Sequence, residues 1–580
     1  MISAEERQSL LKEFLASGRL SSARLLNSDE LAWGKSRQIV AAVEGNIDID
    51  GRRVALRVGV CHRFPLTLPQ IFWVLPDPLG RFPHVEHDGK ICLRADDGLL
   101  IDHHSPLEVL QESLDIAVDV IGAGVSGANA ADFLDELEAY WLQITDHDSV
   151  PCYLDPNDTL RRVAIDRNRT NQITVVADSY DAVQEFAGNR DTRSPPLHAA
   201  HYVPLEPSAL QDRFTPQDFR SLEWTRHFVS KHLSVENRKR LDRLGAKNYA
   251  RAFVVLGIPR RKGGKALVGI DYAGVSGGNP LRHGTPGRPG RYIALERRDR
   301  AVVTARAENA PDLAKARVGL VGCGSVGGYL ALLLARAGVG HLTLVDPDKL
   351  TAQNAFRHVL GSSGIGTPKV DAMKRELTTK VPYIDVGLQR ERIENLLVRR
   401  DSALKNLGLL IYAAGDPTVG RYLNEQLQRV QDAPALIFTW LEPYGLGGHA
   451  LLTKTQGADA WGCFGCLFDS PIPGEPRRNR ADFAAPEQFF AKDVSGCATM
   501  YTPYADLDAV RTAELATRLA LDLLRDRSRG HPLLSWKGDG EAFRAAGFQT
   551  SARYELDEKS LHELRFSYAR ENCAVCGRKP

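Results

Sequence analysis

The chain has 580 residues, carries 74 Lys+Arg against 72 Asp+Glu, and is 43% hydrophobic. The charge balance argues against a general nucleic-acid binder, the composition excludes wholesale disorder, and the length sets a prior of three or four domains. Nine cysteines are too few for a disulfide scaffold of this size. The first seven residues lack the apolar core of a signal peptide. One uncharged run, Val318 to Ala335, is long enough to cross a bilayer, but its five glycines make it read as strand, turn and helix. We therefore expect a soluble, cytoplasmic protein with neither membrane nor nucleic acid as partner.

Residues 1–150 open with an amphipathic helix pattern through Leu10, Leu11, Phe14 and Leu15. An alternating strand follows at Val54 to Val60, then the Pro-rich Phe64 to Pro69 and a strand from Gln70 to Leu75. Helical patterns close the part near residues 107–121 and 130–144, giving an α+β order of helix, antiparallel meander and helices. Cys92 has His84 eight residues before it and His104 beyond it. A cysteine can carry an acyl group, and a histidine can polarise the acyl oxygen or take a proton. A half-buried cysteine at a strand end explains the same residues.

Residues 151–305 alternate strand-like runs (Ile173 to Ala177, Phe253 to Leu256, Ala266 to Ile270) with polar segments. Gly274 to Arg291 reads as a loop from its Gly and Pro content, and Arg260-Arg261-Lys262 as a solvated face. No chemistry is evident in this part, which reads as a mixed linker domain.

Residues 306–580 read as a doubly wound β-α-β sheet. Arg317 to Val321 is a buried parallel strand, Gly322-x-Gly324-x-x-Gly327 a turn, Leu330 to Ala337 a helix, and His341 to Asp346 the next strand. Glycines there let a phosphate approach the backbone at a helix N-terminus, and Asp346 is placed to hold ribose hydroxyls. Taken alone, this equally fits a nicotinamide dehydrogenase. Asp348, Asn354, Arg357, Lys369 and the strand-end Asp416 suit ATP better: two cations neutralise a triphosphate and an acid holds magnesium. Attack of a carboxylate on the α-phosphate would give an acyl adenylate. Cys463-x-x-Cys466 and Cys573-x-x-Cys576 supply four thiolates, enough for a closed tetrahedral zinc site that ties two distant segments together. Cys497 precedes a helix starting near Ala505, where a thiolate has a lowered pKa; an inert buried cysteine is equally consistent.

In order and spacing, Gly322-x-Gly324-x-x-Gly327, Asp346-x-Asp348, Asn354-x-x-Arg357, Lys369 and Asp416 resemble the adenylation domain shared by ubiquitin-activating enzymes and bacterial sulfur-carrier adenylyltransferases (the ThiF/MoeB family). The resemblance covers about residues 315–580. It implies ATP-Mg binding, with Asp346 on ribose, Arg357 and Lys369 on phosphates and Asp416 on magnesium. It also implies a homodimer whose partner lends an arginine (Arg300 or Arg306), zinc on the four paired cysteines, and Cys497 as the thioester carrier.

Gly89-x-Ile91-Cys92-Leu93 resembles the ubiquitin-conjugating fold over about residues 1–145. In that fold a His-Pro-Asn motif precedes the cysteine and a Trp-Ser-Pro follows it. Here Phe82-Pro83-His84 and His104-Ser105-Pro106 stand in those places, so His84 occupies the position of the oxyanion-supporting asparagine.

Joined in one chain, the two resemble the bacterial fusion enzymes of CBASS anti-phage defence. That resemblance implies adenylation of a protein C-terminus (a cGAS-like CD-NTase), relay as thioesters from Cys497 to Cys92, and conjugation to lysines of target proteins. The alternatives are a ligase for a separate ubiquitin-like modifier, a sulfur-carrier adenylyltransferase that leaves Cys92 idle, and an ATP-binding scaffold. The expected architecture is multidomain α/β: a ubiquitin-conjugating-like domain (1–150), a mixed linker domain (151–305) and a Rossmann-like adenylation domain (306–580).

Overall fold

The computed structural model describes residues 3–74, 82–86, 88–93, 99–129, 131–145, 149–187, 199–244, 251–275, 279–305, 311–381, 383–430, 432–454, 461–468, 478–492 and 501–577. Two compact units emerge, Met1–Asp299 and Arg300–Pro580.

The first unit opens with α1 (Ala4–Ala16), started by a reciprocal cap in which the Ser3 hydroxyl accepts from the Glu6 amide and the Glu6 carboxylate accepts from the Ser3 amide. Four strands, β1 (Ser21–Leu25), β2 (Ile39–Ile49), β3 (Arg52–Cys61) and β4 (Gln70–Trp73), form an antiparallel meander in sequence order. The long helix α2 (Pro106–Ser126) places Leu110, Leu114, Ala117 and Ile121 on one face by helical spacing. That face packs with Leu11 and Phe14 of α1 onto Val43, Leu56 and Val58 of the sheet. Each fully buried leucine there contributes about 1.5–3 kcal/mol of burial.

The helical pattern at 130–144 resolves into two short helices, α3 (Asp132–Asp135) and α4 (Leu137–Gln143). Leu134, Leu137 and Trp141 sit in one core with Phe219, Val254 and Ile270, and the Trp141 indole N–H donates to the Ile293 carbonyl at 3.1 Å. The strands of the middle part are β5 (Val150–Tyr153), β6 (Arg161–Arg162), β7 (Ala164–Arg167), β8 (Ile173–Ala177), β9 (Ala199–Pro204), β10 (Arg251–Pro259), β11 (Lys265–Ala273), β12 (Arg288–Ile293) and β13 (Leu295–Arg297). They form two mixed sheets, β12-β11-β10-β9-β6 and β13-β5-β8-β7. The Gly- and Pro-rich stretch taken as loop up to Arg291 therefore ends in strand. Pro289 and Gly290 are tolerated because β12 is an edge strand, and a Cβ on Gly290 would come within 2.9 Å of the Asp271 carbonyl oxygen across the pair.

The second unit is a doubly wound sheet of seven strands. β14 (Arg317–Val321), β15 (His341–Val345), β16 (Asp385–Gln389), β17 (Leu409–Tyr412), β18 (Ala435–Leu441), β19 (Gly447–Thr453) and β20 (Leu533–Lys537) lie in the order β16-β15-β14-β17-β18-β19-β20. The first five are parallel and the last two antiparallel. Helices α5 (Ser325–Arg336), α6 (Lys369–Lys380), α7 (Ile393–Arg399), α8 (Pro417–Leu427) and α9 (Asp506–Leu524) cover it. The uncharged run at 318–335 is thus β14, turn and α5. Among the described residues no helix is long and apolar enough to cross a membrane.

Beyond β18, the chain returning along residues 478–492 is fastened through Glu442, which is buried. Its carboxylate accepts from the Phe483 amide (2.5 Å), the Ala484 amide (2.8 Å) and His449 Nε2 (2.7 Å). Burial pushes the His449 pKa down, and burial together with the charge of Glu442 holds neighbouring Asp482 well above the usual carboxylate range.

Candidate functional site

Strand order reverses between β14 and β17, and the carboxyl ends of β14, β15 and β17 open there into a cleft of about 260 Å³. A ligand site is expected at such a switch point. The three glycines of the turn do different work. Gly322 has φ +90°, and a Cβ on it would lie 2.8 Å from Ala414. A Cβ on Gly327 would lie 1.9 Å from the Gly322 carbonyl oxygen. A Cβ on Gly324 would meet nothing within 4 Å. The first and last glycines are required by the chain itself, whereas the middle one leaves room at the cleft wall.

Gly322, Gly324, Asp346, Asp348, Lys369 and Asp416 all line this cleft. The buried Asp346 carboxylate accepts from the Cys323 amide (2.7 Å) and the Asp348 amide (2.8 Å), so it braces the turn against the end of β15. Lys369 Nζ lies 2.9 Å from Asp348 Oδ2 and 3.6 Å from Asp346 Oδ1. Asp416 caps α8: its Oδ1 accepts from the Thr418 and Val419 amides. Asn354 and Arg357 are not among the lining residues. The Asn354 amide oxygen accepts from the Thr351 hydroxyl at 2.8 Å, closing its own turn. The Arg357 guanidinium lies against Tyr504. Sequence reasoning missed Glu391, Arg392 and Glu394, which enter the cleft from the segment after β16. It also missed His358. His358 Nε2 donates to the Cys323 carbonyl at 2.7 Å while Nδ1 accepts from the Leu360 amide at 3.2 Å, and burial lowers its pKa. These bonds are long-range or made by the main chain, and no local pattern carries them. Arg300 donates to the carbonyls of Gly338 (2.7 Å) and Tyr383 (3.4 Å); Arg306 lies outside the described residues.

The two C-x-x-C pairs converge. The Cys463 and Cys573 sulfurs are 3.8 Å apart, those of Cys466 and Cys576 3.4 Å, and the ligand atoms of all four cysteines lie within 4.8 Å of one another. Thiolates at about 2.3 Å from a tetrahedral zinc stand about 3.8 Å from each other. The four residues fit that ion and leave it no open position, so its chemistry would be structural. Cys497 lies outside the described residues; the segments on either side meet in an antiparallel bridge between Lys492 and Tyr501.

In the first unit Cys92 is exposed, and its amide donates to the His84 carbonyl at 2.8 Å. His84 takes φ +61°, and its ring faces two carboxylates: Nε2 lies 3.1 Å from Asp132 Oδ2 and Nδ1 3.3 Å from Glu136 Oε1. The Tyr140 hydroxyl accepts from the His84 amide (2.6 Å) and donates to Glu136 (2.7 Å). Burial drives the Tyr140 pKa up, and the charges of Glu136 and Cys92 add to the rise. His104 lies against His103, ring centroids 4.0 Å apart and planes tilted by 38°.

The chain matches the ThiF family over residues 297–507 and prokaryotic E2 family B over residues 21–150. It is 24% identical over 474 residues to the ATP-dependent ubiquitin transferase-like protein Cap2 of Pseudomonas aeruginosa, covering 79% of this chain and 83% of the relative. To the protein of the same name from Escherichia coli it is 27% identical over 284 residues, 47% of this chain and 42% of the relative. Among solved structures, E. coli MccB aligns at 16% identity and a TM-score of 0.33, over 46% of this chain and 67% of MccB.

Proposed function

Since the chain joins a ubiquitin-like activating domain to a conjugating domain in one enzyme, we propose that it adenylates a protein C-terminus and relays it, as thioesters, to lysines. The observation that carries this reading is that one chain holds both a strand-end cleft, in the second unit, and an exposed Cys92 thiol, in the first. In the proposed sequence a substrate carboxylate attacks the α-phosphate of ATP and pyrophosphate leaves. The Cys497 thiolate attacks the acyl carbon and AMP leaves. The Cys92 thiolate then displaces Cys497, and a neutral lysine amine displaces Cys92. Asp346 holds the ribose, Lys369 and Arg357 the phosphates, and Asp416 the magnesium that screens phosphate charge. His84, paired to Asp132 and Glu136, stands beside the second thioester as its polarising group.

The substrate we favour is a cGAS-like CD-NTase, as part of anti-phage defence, and the enzyme would work as the homodimer typical of the ThiF/MoeB family. A separate ubiquitin-like modifier is the competing substrate. Tethering the two thiols in one chain raises their effective concentration and suits a relay. The test is non-reducing electrophoresis after incubation with ATP-Mg and host extract, with mass spectrometry of any adduct. We expect a reductant-sensitive adduct that survives in Cys92→Ala and is missing from Cys497→Ala. No such adduct in any lane, with pyrophosphate exchange intact, refutes the relay.

A further inference from the structure

The Arg357 guanidinium lies 4.5 Å over the ring of Tyr504 and 6.0 Å from that of Tyr501, and Nη1 donates to the Thr502 carbonyl at 3.2 Å. Tyr504 continues toward the glycine turn: its hydroxyl donates to Ser325 Oγ at 3.1 Å, and Ser325 is the first residue of α5. One side chain therefore touches the arginine with its face and the start of the turn's helix with its hydroxyl. The strap that carries it is fastened on both sides. Lys492 and Tyr501 exchange two backbone bonds of 2.8 Å, the Tyr444 amide donates to the Pro503 carbonyl at 2.5 Å, and the Tyr329 hydroxyl meets the Asp506 carboxylate at 2.8 and 2.9 Å.

A guanidinium held by its face keeps its N–H donors in its own plane, so stacking on a ring and donating to a phosphate are compatible. Arg357 ends an exposed turn, Ala352–Arg357, whose neighbouring Phe356 is 99% exposed. Tyr504 is the nearer of the two rings that hold this side chain, and without it the guanidinium keeps only the Thr502 carbonyl and the more distant Tyr501 ring. Resting on the reading that the cleft takes ATP, we infer that Tyr504 is a positioning residue for adenylation. It orders Arg357 beside the glycine turn so that the outer phosphates of the nucleotide meet a fixed cation.

The test is calorimetric titration of the full chain with Mg-ATP and with AMP, which lacks the outer phosphates. Tyr504→Leu is expected to weaken Mg-ATP by roughly three- to tenfold, the range of a cation–π contact, and to leave AMP within about twofold. Tyr504→Phe keeps the ring and should recover most of the Mg-ATP affinity. The double variant Arg357→Ala/Tyr504→Leu should bind Mg-ATP no more weakly than Arg357→Ala alone. Losses that multiply in the double variant overturn the inference, as does an equal loss for AMP, which marks general damage. Tighter Mg-ATP binding by Tyr504→Leu overturns it too, because the ring would then compete with phosphate for the guanidinium. A wild-type chain that binds neither nucleotide overturns the ATP reading itself, and this inference with it.

Discussion

The glycine turn shows how far a motif can be read at the scale of one residue. Its spacing carries three equivalent letters, but only the structure separates Gly322 and Gly327, which the backbone crowds, from Gly324, which it does not. We expect Gly327→Ala to cost more than about 3 kcal/mol, because the obstruction is a carbonyl rather than a flexible side chain. Gly324→Ala should melt like wild type while losing Mg-ATP affinity. Thermal melting and calorimetry on both variants decide this, and equal melting temperatures would refute it. Lys369 and Asp416 were legible because strand ends and helix starts deliver side chains to a fixed place. The direction of Arg357 was not, since a one-dimensional spacing says nothing of a ring supplied by Tyr504 far along the chain. The same holds for His84, whose place before Cys92 was evident but whose partners Asp132 and Glu136 arrive from another helix. His84→Ala should slow discharge of a preformed Cys92 thioester to free lysine by roughly ten- to a hundredfold. Single-turnover assays that show unchanged discharge would remove His84 from the reaction.

Whole elements were legible where hydrophobic period and turn chemistry agreed, as in β14, α5 and α2. They blurred where tertiary packing overrode local signals. The helical pattern at 130–144 is broken at Glu136, whose φ −110° and ψ 13° are not helical, and Phe133 of α3 folds back against Tyr140 of α4 while Trp141 packs on Phe219. Strand β9 carries a further cost hidden in its sequence. His201 is buried within it beside Arg162, and burial first, then that charge, lowers its pKa to about 4 from 6.5. The unfolded chain takes up a proton near pH 6.5 that the folded chain refuses until about pH 4. Stability from this site is therefore complete above pH 6.5 and lost as pH falls toward 4, by about 3 kcal/mol in all. Denaturant melts of wild type and His201→Gln at pH 7, 5.5 and 4.5 should diverge accordingly; parallel losses would place the acid sensitivity elsewhere.

At the scale of the molecule, the order of the conjugating-like part before the activating-like part could be read because each signature is confined to a short stretch. The two-sheet architecture of the middle part could not, because it rests on pairings such as β5 with β13, between strands far apart in sequence. The convergence of the cysteine pairs gives a whole-molecule test. Elemental analysis should find about one zinc per chain, and its removal should lower the melting transition of the second unit while sparing that of the first. A closed loop of about 100 residues is worth about 4–5 kcal/mol when cross-linked, by the chain-entropy argument used for disulfides. Absence of zinc from the pure protein, or a shift in both transitions, would contradict the assignment.

The grip of Glu442 on Phe483 and Ala484 has a consequence for how this protein can diverge. The carboxylate holds main-chain amides, and those are the same whatever side chain each residue bears. The path of that segment can be inherited while its letters drift. Position 484 is fully open to exchange at the level of this bond, with proline as the one substitution that removes the donor. What restricts the side chains there is packing, since Phe483 and Ala484 are both buried, and not the bond to the carboxylate.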